Sequence, residues 1–144
     1  PKAGMAVNID IGEADNIHPA SKQEVGRRLA LQARNKVYKE DIVCDGPVYN
    51  SMRVEGNTIR IKFSNNGGGL LFKNNDWARN FAIAGADKHF YWATGVSIDG
   101  NDVLVSCQQA PHPVAVRYAW GNNPDAALYN EAGLPAGPFR TDDW

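Results

Sequence analysis

Only two of the 144 residues are cysteines, Cys44 and Cys107, and neither has a second Cys or a His within four residues of it in sequence. That scarcity argues against a disulfide-built scaffold and against a zinc site; one bridge or two buried reduced thiols remain open. Long apolar runs are missing too. Nothing approaches the roughly twenty residues that cross a bilayer, and no signal-peptide pattern is present, which by itself says little about location. Neither sign of charge is in excess: 15 Lys and Arg face 16 Asp and Glu, for a formal net charge of -1. No basic stripe therefore marks a nucleic acid or an anionic membrane as partner. There is no N-x-S/T sequon and no initiator Met; the chain opens Pro1-Lys2-Ala3-Gly4 and reads as an excised or processed piece.

What is present is an ordinary globular composition, 43% hydrophobic and 22% charged, which excludes a disordered chain. The length suits one modest domain, or the tail of one domain fused to a small second one. Val7, Ile9 and Ile11 alternate between Gly4 and Gly12 and predict a strand, followed by a polar loop over Glu13–Pro19. Ser21 and Glu24 form an S-x-x-E capping-box pattern ahead of Val25, Leu29, Ala33 and Val37, which recur at helical spacing. Gly26 inside that helix costs about 1 kcal/mol relative to Ala.

From about Val43 the period changes to that of strands. Val48, Met52 and Val54 lead through Glu55-Gly56-Asn57 to Ile59, Ile61 and Phe63, a hairpin pattern. Leu70–Phe72 and Phe81–Ala84 predict two short strands around a polar connection. A second hairpin turns at Asp99-Gly100-Asn101, and Pro113–Trp120 predicts a last strand with Val114, Val116 and Tyr118 on one face. Beyond Gly121 the Asn-, Pro-, Gly- and Ala-rich tail predicts an irregular segment clinging to the surface. Residues 1–40 thus read as a terminal strand–loop–helix step of an α/β fold, and residues 41–144 as an all-β sandwich with an irregular tail.

Asp15-Asn16-Ile17-His18 is the constellation with catalytic spacing. A carboxylate three residues before an imidazole can fix its tautomer and stabilise the imidazolium formed when it takes a proton. On spacing alone the same string also describes an exposed loop histidine at a helix entrance. Asp10 and Glu13 are alternative carboxylates for orienting the ring. Trp77, Trp92, Trp120 and Trp144 can stack on a sugar or serve the core, with Trp77 expected to be the most exposed because it lies in a polar stretch. Arg117 and Arg140 can hold a carboxylate bidentately or form structural ion pairs.

Several separated strings resemble one family, in order along nearly the whole chain. They are Met5-Ala6-Val7-Asn8-Ile9-Asp10-Ile11-Gly12, Asp15-Asn16-Ile17-His18-Pro19 and Lys22-Gln23-Glu24-Val25-Gly26-Arg27-Arg28-Leu29. Further on come Phe81-Ala82-Ile83-Ala84-Gly85-Ala86-Asp87, Val114-Ala115-Val116-Arg117-Tyr118-Ala119-Trp120 and Pro138-Phe139-Arg140-Thr141-Asp142. The chain in these respects resembles the C-terminal portion of sialate O-acetylesterases, serine hydrolases of the SGNH class. The resemblance implies removal of O-acetyl groups from sialic acids or related sugars by Ser-His-Asp acyl transfer. It implies that His18 is the general base and Asp15 its partner, with no cofactor or metal, and makes Trp77 and Arg117 candidates for substrate binding.

The family's Gly-Asp-Ser nucleophile block and its oxyanion-hole Gly and Asn blocks are not found here; Ser21, Ser51, Ser64, Ser97 and Ser106 lack that context. The resemblance therefore implies a partner polypeptide, the N-terminal remainder of the esterase, and a chain inactive alone. It further implies an extracellular, periplasmic or lysosomal setting, with an exported bacterial enzyme favoured. The competing reading is a carbohydrate-binding sandwich module without catalysis, which leaves the front strand, D-x-x-H loop and helix without a purpose.

Overall fold

The computed structural model describes residues 3–73 and 77–144. Pro1 and Lys2, and residues 74–76 of the polar connection expected after Phe72, lie outside the described residues. Among the described residues the chain is mostly β with one long helix. Helix α1 spans Lys22–Lys36, and ten strands follow among the described residues: β1 (Val48–Glu55), β2 (Thr58–Ser64), β3 (Leu70–Phe72), β4 (Phe81–Ala84), β5 (Phe90–Trp92), β6 (Gly95–Asp99), β7 (Asp102–Ser106), β8 (Ala115–Tyr118), β9 (Leu128–Asn130) and β10 (Phe139–Arg140). They form antiparallel sheets in the orders β1-β2-β7-β6, β10-β8-β4-β5 and β3-β9.

Both hairpins read from the sequence are present, because each has a glycine where the turn demands it. Glu55 pairs with Thr58 across Gly56-Asn57, and Asp99 with Asp102 across Gly100-Asn101. Gly56 and Gly100 hold φ of 64° and 60°, which an L side chain resists. The two four-stranded sheets share one core. Ile59 and Ile61 of β2 and Val103 and Val105 of β7 meet Phe81 and Ile83 of β4 and Val116 and Tyr118 of β8, all without solvent exposure. A bulge between Tyr49 and Ser51 shifts the parity of edge strand β1. Tyr49 thereby stacks on Phe139 at 4.7 Å, while Val48 and Val54 stay about half exposed.

Four expectations fail for identifiable reasons. The alternating segment Val7–Ile11 forms no strand, since no neighbouring strand offers its backbone a ladder. The capping box is not made: the Ser21 side chain caps nothing, and Glu24 is drawn to Arg27 and Arg28 instead. The tail is not a surface segment. Leu128, Ala136 and Phe139 join the core, Leu128 N–H donates to the buried Tyr118 hydroxyl at 3.0 Å, and two short strands form within it. The stripe expected to bury α1 does not: Leu29 and Val37 are 51% and 45% exposed.

The helix docks on polar residues one turn apart. Arg28 and Gln32 are its buried side chains, and Lys36 follows on the same face. Gln32 donates to the Cys44 carbonyl at 2.6 Å and to Asp45 at 2.8 Å, and Lys36 reaches Asp45 at 3.3 Å. Burial opposes ionisation of Asp45, but these donors outweigh it and hold its pKa below the usual value. Asn130, fully buried, fastens the same region: its amide donates to the carbonyls of Asp45 and Asn65, and its oxygen accepts from Leu134 N–H. Cys44 and Cys107 are buried and unpaired.

Candidate functional site

The loop before α1 is built by one carboxylate. Glu13 accepts from the Ala20 amide at 2.7 Å and from the Asn16 side chain at 2.8 Å, closing a tight arch over residues 13–20. Asn16 bonds His18 at both backbone groups, accepting from its N–H at 2.9 Å and donating to its carbonyl at 3.1 Å. The hydrogen bonds from Ala20 and Asn16 keep Glu13 ionised below the usual carboxylate range. His18 and Asp15 are both exposed at the crest of the arch. The His18 ring makes no hydrogen bond or ion pair among the described residues, including with Asp15. The backbone of the histidine is fixed while its imidazole faces outward.

The loop is anchored below by Asp10. Its carboxylate receives both arms of the Arg28 guanidinium at 2.5 and 2.7 Å and the Tyr129 hydroxyl at 2.9 Å. The Asp10 and Arg28 side chains are 7% and 4% exposed. Burial works against ionisation of Asp10, yet the hydrogen bonds from Arg28 and Tyr129 and the charge of Arg28 prevail, and its pKa falls below the ordinary value. Arg28 also donates to the Val7 carbonyl at 2.7 Å and to Glu24 at 2.8 Å. One network thus ties the front segment, α1 and β9 together.

Of the carboxylates weighed for His18, Asp10 is bound to Arg28 and Tyr129, and Glu13 to Ala20 and Asn16. Arg28 and Tyr129 went unnoticed in the sequence; an arginine inside a helix otherwise patterned by Val25, Leu29 and Ala33 was the available signal.

Trp77 and Arg117 lie elsewhere. Trp77 begins a short 3-10 turn, Trp77–Asn80, and is half-buried beside Phe72, so the polar stretch around it did not expose it. The exposed tryptophans are Trp92 at 61%, Trp120 at 53% and Trp144 at 41%. Arg117 on β8 is held bidentately by Asp142 at 2.9 and 2.6 Å. Its hydrogen bonds, against the cost of burial, push the Asp142 pKa down. A cleft of about 740 Å³ runs between Met5–Val7 and the sandwich beside Tyr49 and Pro138; His18 does not line it. Among the described residues no group of three or more His, Cys, Asp or Glu is placed to hold a metal, and no helix is long and apolar enough to cross a membrane.

No protein-family model and no curated protein matches this chain. Among solved structures it is similar to a carbohydrate acetylesterase from Xanthomonas citri, with 44% identity and a TM-score of 0.90. The likeness covers 96% of this chain and 32% of that one, so the chain spans about a third of that enzyme's length.

Proposed function

We propose that this chain is the C-terminal portion of a carbohydrate acetylesterase of the sialate O-acetylesterase type, in which His18 is the general base. The observation that carries the reading is the 44% identity, sustained over 96% of the chain, to a carbohydrate acetylesterase. The outward imidazole on a braced loop supports it, as does the apolar stripe that α1 leaves in solvent. On this reading residues 1–40 complete an SGNH-type α/β domain and residues 41–144 are the sandwich beside it.

The nucleophilic serine then comes from polypeptide outside this sequence. Its hydroxyl attacks the acetyl carbonyl as His18 takes the proton; His18 returns it to the departing sugar oxygen, leaving an acetyl-serine. Water, deprotonated by the same ring, releases acetate. Asp15 is the orienting carboxylate, being the loop's one acidic side chain not already engaged by other residues. An exported location suits a polysaccharide or glycoconjugate substrate.

The test is reconstitution. The 144-residue chain alone is expected to leave p-nitrophenyl acetate intact. Co-expression with the preceding esterase polypeptide is expected to yield acetylesterase activity that His18→Ala lowers by about 10³-fold or more. Turnover by the chain alone, abolished by His18→Ala, would overturn the shared site; reconstituted activity indifferent to His18→Ala would remove the histidine from the mechanism.

A further inference from the structure

A second surface, away from the His18 loop, has the makings of a ligand site. Trp92 on β5 pairs with Ala82 on β4, Ala82 with Arg117 on β8, and Arg117 with Arg140 on β10. Residues in direct register share a face, so these four side chains form a row across the outer side of the sheet. Ala82 makes a low floor. Phe90 and Trp92 rise on one side of it and Trp120 on the other, around a cleft of about 250 Å³ also lined by Arg117 and Asn80.

The polar groups in the cleft are fixed in advance. The Arg117 guanidinium lies 3.9 Å from the centre of the Phe90 ring and is clamped by both oxygens of Asp142, whose side chain is fully buried. Arg140 adds a contact to the same carboxylate at 3.6 Å and lies 5.6 Å from the Trp120 ring. Trp120 is turned out of the sheet by Ala119, whose φ of 47° is costly for a residue with a Cβ and whose N–H donates to the Asn80 carbonyl at 2.8 Å. The Ala119 conformation thus sets Trp120 outward, and Trp92 and Trp120 both stand more than half in water.

We propose that the cleft between Trp92 and Trp120 binds a pyranose ring of a neutral polysaccharide, apart from the site of ester hydrolysis. The C–H face of a pyranose matches an indole face, and its hydroxyls suit planar, pre-oriented donors. An anionic sugar suits it less, because Arg117 is already neutralised by Asp142, against which a second carboxylate would be repelled. The choice of a sugar among flat-faced ligands rests on the acetylesterase reading, but the site does not depend on His18.

The 144-residue chain is titrated with xylohexaose, cellohexaose and 3′-sialyllactose, following tryptophan fluorescence and heat. Saturable binding of a neutral hexaose is expected, weakened roughly tenfold or more by Trp92→Ala and by Trp120→Ala and unchanged by Trp144→Ala or His18→Ala. Both cleft indoles are exposed, so their replacement leaves the core intact. The proposal is overturned if neither hexaose binds at millimolar concentration, if binding survives both cleft substitutions, or if sialyllactose binds more tightly. It is equally overturned if the chain binds no hexaose and self-associates through these tryptophans, the dimer dissociating on Trp92→Ala. Because binding is read without catalysis, its failure leaves the reconstitution test of His18 untouched.

Discussion

Asp10 illustrates how much one buried carboxylate can determine. With Arg28 and Tyr129 it joins the segment before the histidine loop to α1 and β9. Truncating one member of a buried ion pair strands the other's charge, so Asp10→Ala is expected to cost about 3 kcal/mol in urea unfolding. Tyr129→Phe, which removes a single hydrogen bond to the same carboxylate, is expected to cost about 1 kcal/mol. The pH dependence has a definite sign. The folded-state pKa of Asp10 lies below its unfolded value of about 4, so the pair's contribution is complete above that pH and is lost as the pH falls through the folded pKa. Acid melting of the wild type is therefore expected to be steeper below about pH 4 than that of Asp10→Ala. An unchanged acid limb in the variant would remove Asp10 from this role.

At the scale of the element, α1 shows what hydrophobic periodicity can and cannot reveal. Its existence and extent were legible from Val25, Leu29, Ala33 and Val37, but the face it buries was not, because the docking stripe is Arg28, Gln32 and Lys36. Gln32 and Lys36 are anchored by Asp45, and a sequence pattern carries no sign that this distant carboxylate is waiting. The hairpins were legible because Gly56 and Gly100 dictate turns locally. The strands of the tail were not, because Leu128–Asn130 and Phe139–Arg140 are too short for a period and owe their conformation to partners β3 and β8. For the candidate site, His18 could be singled out from its string, whereas the bracing by Glu13 and Asn16 emerges only in three dimensions. Gly26 faces open space, with nothing within 4 Å of an added Cβ. Gly26→Ala is accordingly expected to stabilise the isolated chain by about 1 kcal/mol, measured by thermal or urea unfolding. A loss of stability would mean that the helix surface there is already occupied.

For the whole molecule, the distribution of apolar surface is uneven. Trp92 and Trp120 apart, the most exposed large apolar side chains lie in the front part, where Met5, Ile17, Leu29 and Tyr38 stand 74%, 90%, 51% and 73% exposed. A protein seldom leaves so much apolar area in water without a cover. On the proposed reading the isolated chain is expected to bind the dye ANS, and the signal to fall when it is co-expressed with an esterase polypeptide that carries the serine. Equal dye binding in both forms would show that this surface stays uncovered in that assembly.

The Asp10–Arg28–Tyr129 clamp carries a mechanical corollary. It welds the arch bearing His18 to the β-rich part, so on the proposed reading a base that belongs to the α/β domain is held in place from the sandwich beside it. A ligand gripping the sandwich would then bear on that base from outside the reaction centre.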